Sequence, residues 1–423
     1  MRLIHPYPMT MWMVRHAVVL CPLLQFLLNS QATGHEPDQF TVPVGKEFAD
    51  LGSFWNEMLY EAVHQSVENV NAKIRQAQRI PVTEVRQFRL AELQSPDTMA
   101  WEVRSRFSPS LWAIEDLEIG LRIGKERGRH PGQIIAYRSS LLGSIYSHVP
   151  LPPDPRQVNR MLFLRCSTIK VHGTYLGTDK IAHFMGMGHL YYKGYRRAIR
   201  AGKPHQEAMR SAQTIGRIGP LSEIGLVGYL PTGIYSNADM ASNYVGLKFF
   251  VNLTDPVRLK GRRCPPMLVR EGNFWRIQPH VRPDGPFFAM FISDHLDEVL
   301  NPSLYEWGMR GQVRNMIRNR RKTVLDWYAG DDPAKRNPAY FEKLIAEYAT
   351  YYTEDYGHSG HREKLVTVAN TCFDRHSPAT GGFPGLVQRL PPTTNSTNPP
   401  ARVHIESIVI EASHTAGATT KRF

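Results

Sequence analysis

Residues 178–197 read TDKIAHFMGMGHLYYKGYRR, and they open the most regular part of the chain. From residue 178 to residue 252, the spacing of apolar residues and turn residues predicts one helix, a turn at Gly202-Lys-Pro204 and a second helix. A glycine-rich bend and a third helix from about Asn237 follow. Helices joined by short turns are typical of an α fold, so we expect residues 178–252 to form the helical centre of the protein.

The flanking regions extend this interpretation to a larger helical body. Residues 44–78 carry one apolar stripe at helical spacing, which predicts a long amphipathic helix. A further helix is expected from Asn301-Pro302-Ser303 to about Tyr328, because Asn is a good N-cap and Pro is favoured at the first helical position. The sequence therefore predicts a mainly α, multi-helix single domain over residues 44–375, with a few short strands.

The two ends of the chain have a different composition. Pro, Thr, Ser, Gly and Asn dominate from about Ser377 to Pro400, so residues 376–423 are expected to be a disordered low-complexity tail. Residues 33–43 turn polar and loop-like, which predicts a linker.

Residues 1–32 have the three parts of a cleavable secretory signal. Arg2, Arg15 and His16 give a positive first region without a carboxylate, and an apolar run follows from Ala17 to Leu28. Small residues then precede a predicted cut after Ala32. The apolar run is shorter than the ~20 residues of a membrane span. We therefore expect an exported protein, periplasmic or associated with the outer envelope, without a transmembrane span after cleavage.

Charge and cysteine content limit the partners and covalent links of the exported chain. Removal of the two basic residues of the signal leaves 49 basic against 38 acidic residues, a net charge of +11. This excess favours an anionic envelope surface or polymer, and export makes nucleic acid an unexpected partner. Cys166, Cys264 and Cys372 remain, which allows one disulfide but does not identify the pair, and the oligomeric state stays open.

The first turns of the helix at residue 178 combine groups that can carry chemistry. Thr178 is the expected N-cap, and Asp179 and His183 lie one turn apart on one helix face. A carboxylate one turn from a histidine can accept the ring N–H and orient the imidazole as a base or a metal ligand. Lys180 is the candidate clamp for an anionic group. His189 lies off that face.

The string Asp179-Lys180-Ile181-Ala182-His183-Phe184 resembles the DKxxHF signature of the YfiM-like lipoproteins and VanZ-like membrane proteins of bacterial envelopes. The resemblance covers about residues 178–240 and implies an envelope location and a helical packing unit. In the YfiM-like pattern an acidic residue follows on a second helix flanked by glycines. Here that residue would be Glu223, with Asp239 as a further acid. The families carry no settled reaction.

Further acidic and histidine groups are candidates for the same site. Asp239 and Asn243 are one helical turn apart, as are Asp294 and Glu298. The sequence identifies no cofactor, but histidine and carboxylate groups suit a divalent metal. The candidate metal ligands are His183, Glu223, His295 and His358.

Two functional hypotheses follow from these observations. The first is an envelope hydrolase acting on an anionic lipid or cell-wall component, with Asp179, Lys180, His183, Glu223 and Asp239 as its catalytic set. The second is a non-enzymatic envelope protein with a structural or interaction role, in which the DKxxH cluster holds helices together through buried hydrogen bonds.

Overall fold

The computed structural model describes residues 36–107, 128–140, 142–147, 165–219, 222–225, 228–360 and 364–373. The predicted signal, residues 1–32, and the predicted tail, 376–423, lie outside these residues. All described residues belong to one compact unit that extends no further than Ser377. The fold is mainly α, as predicted.

Twelve α-helices occur in the described part of the chain. They are α1 (Gly52–Ala77), α2 (Thr83–Leu93), α3 (Pro96–Ser105), α4 (Thr178–Ala182), α5 (Gly188–Arg200), α6 (His205–Arg217), α7 (Tyr229–Thr232), α8 (Asn237–Asn252), α9 (Trp307–Asn319), α10 (Arg321–Tyr328), α11 (Pro338–Tyr348) and α12 (Val368–Thr371). A π-helical turn, His183–Met187, joins α4 to α5. Short 3-10 turns cover Gln39–Thr41, Phe288–Phe291 and Asp294–Leu296.

The strands of the described residues form only two-stranded pairs. Three are antiparallel hairpins: β3 (Thr168–Val171) with β4 (Thr174–Gly177), β6 (Val257–Leu259) with β7 (Arg262–Cys264), and β8 (Leu268–Glu271) with β9 (Phe274–Ile277). β5 (Ile234–Tyr235) pairs antiparallel with β10 (Leu304–Tyr305), and β1 (Glu36–Pro37) pairs parallel with β2 (Arg165–Cys166). The two long-range pairs join distant segments beside the central helices.

α8 is the central helix, and all of its residues are buried. Its N-terminus is capped by Ser236, whose hydroxyl accepts from the Asp239 backbone N–H at 3.0 Å. α8 packs against α5 and the π-turn, at a crossing that two glycines make possible. A Cβ on Gly246 would lie 2.1 Å from the Phe184 carbonyl oxygen, and one on Gly188 would lie 2.6 Å from the Gly246 Cα. The close crossing brings polar groups of α4, the π-turn and α8 within reach of one another.

The long helix predicted over residues 44–78 is confirmed as α1 for residues 52–77, whereas residues 44–51 precede it without helical structure. Its buried face includes Trp55, Leu59, Val63 and Val70, which follow the predicted stripe. α1 packs on α3 and on β9, and the core of the body lies between these elements and the central helices.

Two predicted boundaries are wrong. The expected linker 33–43 is packed, because residues 36–41 are buried and include a strand and a 3-10 turn. The helix expected from Asn301 starts at Trp307 and is interrupted at Arg320. Asn301 does not cap it, since its side-chain amide donates to the His295 carbonyl and the Tyr356 hydroxyl, at 2.8 and 3.0 Å.

The three cysteines that follow the predicted signal are thiols, and no disulfide links Cys166, Cys264 and Cys372 within the described residues. None of the described helices is long and apolar enough to cross a membrane.

Candidate functional site: a buried histidine and carboxylate centre

Lys180 is the cation of a fully buried ionic cluster. Its Nζ lies 2.6 Å from Asp179 Oδ2 and 2.5 Å from both Asp239 Oδ1 and Glu298 Oε1, and its side chain has no exposed surface. The hairpin β3–β4 ends directly before α4, which fixes the start of the helix with Gly177 as the N-cap residue in place of Thr178. The predicted role of Lys180 as a clamp for an external anion is therefore wrong, because protein carboxylates already occupy its ammonium group.

His183 is held by α8 and not by the residue one turn before it. Its Nδ1 lies 3.0 Å from Asn243 Oδ1, and its Nε2 lies 3.3 Å from Asp239 Oδ2. Asp179, the predicted orienting carboxylate, instead binds the backbone N–H and the ammonium group of Lys180. The expectation that Asp239 and Asn243 face one site is confirmed, and together they replace Asp179 as the partners of the ring.

The tautomer of His183 follows from its contact with Asn243. The Oδ1 of Asn243 can only accept a hydrogen bond, so the His183 Nδ1, 3.0 Å away, donates to it. In the neutral imidazole the Nε2 lone pair therefore points toward Asp239.

Glu223 completes a group with His183 and Asp239. One ligand atom each of His183, Glu223 and Asp239 lies within 4.8 Å of the other two. Glu223 Oε1 accepts from the Ser236 backbone N–H at 2.9 Å, whereas its Oε2 is buried without a hydrogen-bond partner. The next residue, Ile224, is 55% exposed, so Glu223 lies just beneath the surface with its side chain buried. Glu223, the acidic residue that the DKxxHF resemblance implies, thus lies close to His183.

Two carboxylates of the centre were absent from the predicted catalytic set, although Glu298 was a further candidate for the site. Glu298 accepts from Ser236 Oγ at 2.8 Å as well as from Lys180, and Glu36 projects from β1 with a buried, unpartnered Oε2. One carboxylate oxygen each of Glu36, Asp179, Asp239 and Glu298 lies within 4.8 Å of the others. The pair Asp294 and Glu298 does not share a face, because the helical turn ends at Leu296 and Asp294 instead binds the Thr174 hydroxyl at 3.0 Å.

Burial and mutual repulsion disfavour ionisation of these carboxyl groups. Burial is the main cause that raises the pKa of Glu36 and of Glu223 well above the usual value, with neighbouring carboxylates adding to it. Burial also raises the pKa of Asp179 to about 6, although Lys180 opposes the shift. Burial alone would lower the pKa of Lys180, but the surrounding carboxylates outweigh it and raise that pKa well above its usual value. The centre therefore holds one fixed cation among carboxyl groups, of which Glu36 and Glu223 favour the protonated form.

The other candidate histidines lie outside this group. The ring nitrogens of His295 contact Thr350 O at 2.9 Å and Ser293 Oγ at 3.2 Å, among the rings of Tyr348, Tyr351 and neighbouring tyrosines. His358 lies beside the Tyr356 ring. Among the described residues, neither joins a cluster able to hold a metal ion, so both are wrong as predicted ligands of the central site.

A separate groove of about 830 Å³ lies on the other side of α8. Tyr244, which directly follows Asn243, lines it together with the arginines Arg210, Arg258 and Arg263. These three guanidinium groups are exposed, and none forms an ion pair with a carboxylate in the part of the chain that the structure describes. The groove therefore presents excess positive charge to solvent.

No protein-family model matches the chain, and neither a curated protein nor a solved structure shows significant similarity to it. The resemblance to the DKxxHF envelope families remains a prediction that rests on the motif.

Proposed function

We propose that the protein is an exported envelope hydrolase that acts on an anionic lipid or cell-wall component through the His183 centre. The observation that carries this proposal is the position of the His183 Nε2, directed at Asp239 and grouped with Glu223, a buried carboxyl that has one unpartnered oxygen. Histidine and carboxylate groups in this arrangement can activate water, either as a base or around a metal ion.

The roles differ from those expected of the motif. His183 is the base or metal ligand, Asn243 fixes its tautomer, and Asp239 and Glu223 are the further acids or ligands. Asp179 and Lys180 hold the charge of the cluster in place. These two residues position the centre, because Lys180 lies on α4 and holds the three carboxylates that it contacts in place relative to that helix.

The anionic part of the substrate is assigned to the groove on the other side of α8. Its three arginines supply the positive charge that Lys180 cannot, and guanidinium groups suit phosphate and carboxylate groups. The net positive charge of the chain supports the same choice of partner, an anionic envelope surface or polymer. The export that this function requires rests on the N-terminal signal.

The second candidate is the non-enzymatic envelope protein, which the complete burial of the centre favours. Asp179, Lys180, Glu223 and Asp239 are each at most 1% exposed, and His183 is 5% exposed. A buried ionic network can fix how helices pack without any reaction. In this case the substitution of His183 would change only stability.

Turnover by the purified protein distinguishes the two. Release of phosphate, fatty acid or muropeptide is measured on isolated envelope lipids and cell-wall fragments, with His183→Asn and with His189→Asn as the buried control. His189 packs against Trp101 and Phe250 and lies outside the centre. The hydrolase predicts at least about a 100-fold loss of turnover for His183→Asn alone. A lower melting temperature for His183→Asn and no turnover by any form would support the non-enzymatic role.

A further inference from the structure

Charge compensation in the centre is uneven. Asp239 is shared by two groups of ligand atoms: one with Glu36, Asp179 and Glu298, the other with His183 and Glu223. The ammonium group of Lys180 contacts three carboxylates of the first group. Asp239 shares the Lys180 ammonium group with the first group, whereas Glu223 forms no ion pair with a lysine or arginine among the described residues, although the second group is equally buried.

A cation suits the contacts of the second group. With Nδ1–H donated to Asn243, the neutral His183 ring directs its Nε2 lone pair at Asp239 Oδ2, 3.3 Å away. Glu223 Oε2 is buried without a hydrogen-bond partner, which costs about 1–3 kcal/mol. A metal ion would bind the Nε2 lone pair and a Glu223 oxygen together with Asp239.

The spacing suits a small transition-metal ion. Zn²⁺ binds histidine nitrogen and carboxylate oxygen at about 2.0–2.2 Å, so two ligands of a tetrahedral site are about 3.4 Å apart. The observed 3.3 Å between His183 Nε2 and Asp239 Oδ2 agrees with this separation. Asn243 then has the place of the outer-shell acceptor that commonly orients a metal-bound imidazole.

We propose that His183 Nε2, Asp239 Oδ2 and Glu223 Oε2 bind a divalent transition-metal ion of the Zn²⁺ type. The remaining coordination position is left for solvent, as in catalytic zinc sites. The inference deepens the proposed function by naming the cofactor of the same centre. Its test measures binding and not turnover, so that the two proposals can fail separately.

The test uses two buried glutamates that differ only in their neighbours. Glu223→Gln removes a ligand, whereas Glu36→Gln removes the other buried carboxylate with an unpartnered oxygen, which lies outside the histidine group. The purified protein is stripped with a chelator and titrated calorimetrically with Zn²⁺, with Mg²⁺ as the hard-cation control. Thermal unfolding without metal shows that each variant is folded.

We expect one equivalent of Zn²⁺ to bind the unaltered protein, with Mg²⁺ much weaker. Glu223→Gln should weaken Zn²⁺ binding by about 100-fold or more, and Asn243→Ala by about 10- to 100-fold. Glu36→Gln should weaken Zn²⁺ binding by less than about 10-fold, since it removes no ligand and alters only a carboxyl group next to Asp239. If Glu223→Gln does not fold, Asn243→Ala carries the test.

Three results would overturn the proposal. They are the absence of saturable Zn²⁺ binding, equal effects of the Glu223 and Glu36 substitutions, and binding that survives Glu223→Gln and Asn243→Ala unchanged. Zinc binding without turnover would leave this inference standing and refute the hydrolase, and turnover by a protein that shows no saturable Zn²⁺ binding would do the reverse.

Discussion

Replacement of Lys180 by methionine tests whether its ammonium group holds the buried cluster together. The change keeps the length of the side chain and leaves Asp179, Asp239 and Glu298 without the cation that lies 2.5–2.6 Å from each of them. Removal of one partner of a buried ion pair costs about 3–5 kcal/mol, because the other charge stays buried. Here three carboxylates lose the same partner.

Protonation limits the loss of stability, because one added proton replaces the single positive charge that Lys180 supplies. A carboxyl group with an unfolded pKa of 3.8 can be kept protonated in the folded state for about 1.4 kcal/mol per pH unit above that value. The cost is then about 4 kcal/mol at pH 7 and about 1.5 kcal/mol at pH 5. We therefore expect Lys180→Met to lose about 4 kcal/mol of unfolding free energy at pH 7, with most of that loss recovered at pH 5.

Urea unfolding at the two pH values, in the presence of a chelator, measures both quantities. Lys248→Met is the matched control, since Lys248 is also buried but its one carboxylate partner among the described residues is Glu354, whose side chain is 32% exposed. Its loss should be smaller and should depend less on pH. If Lys180→Met does not fold, the double variant with Glu298→Gln should recover part of the stability. A loss below about 1 kcal/mol at pH 7 would refute the reasoning.

Three further predictions concern packing and ionisation. Gly246→Ala should lower the free energy of unfolding in urea by about 2–3 kcal/mol, because the new Cβ would meet the Phe184 carbonyl oxygen. Gly308→Ala in α9 is the control and should raise that free energy by up to about 1 kcal/mol, since no atom lies within 4 Å of its Cβ position. Glu223→Gln, measured without metal, should be more stable than the unaltered protein at pH 7–8 and equal to it below pH 4. The raised pKa of Glu223 makes its ionisation oppose folding by up to about 1.4 kcal/mol per pH unit as the pH rises, and a gap that widens toward acid pH would contradict this. The ionisation of His189 should change stability in the opposite direction. Burial, aided by nearby cations, lowers the pKa of His189 to about 4. Up to about 3 kcal/mol of stability that is present above pH 6.5 is therefore lost as the pH falls toward 4. His189→Asn should flatten that acid limb, and an unchanged limb would exclude the histidine as its cause.

Sequence periodicity was sufficient for the parts of the site that lie on regular helices. The spacing of Asp239 and Asn243 placed both on one face of α8, and the structure confirms that both contact His183. The same rule failed for Asp179 and His183, although they too are one turn apart. The lysine next to Asp179 competes for its oxygens, and the π-turn begins at His183.

The missed carboxylates lie in segments without helical periodicity. Glu36 is in a segment that reads as a polar linker, and contacts with segments far along the chain, among them β2, β4 and α4, bury it. Glu298 follows a turn that ends at Leu296, so a helical spacing from Asp294 gives the wrong face. Lys180 and Glu298 are 118 residues apart, and such a contact follows from tertiary packing that no local pattern encodes.

The long helix α1 and the wrongly predicted helix start at Asn301 show the same difference between long periodic patterns and short local signals. The apolar stripe of α1 spans many turns, so its burial follows from period alone. The Asn-Pro-Ser cap signal is only three residues long, and the buried hydrogen bonds of Asn301 to His295 and Tyr356 outweigh it.

Anomalous diffraction at the zinc edge, from crystals of the protein grown with one equivalent of Zn²⁺, tests the metal centre most directly. We predict one peak about 2.0–2.2 Å from His183 Nε2, Asp239 Oδ2 and Glu223 Oε2. Its distance from Lys180 should be larger, because the ammonium group already occupies the neighbouring carboxylates. A crystal with no peak there, or with zinc bound only at His295 or His358, would contradict the assignment of His183 as the centre of the site.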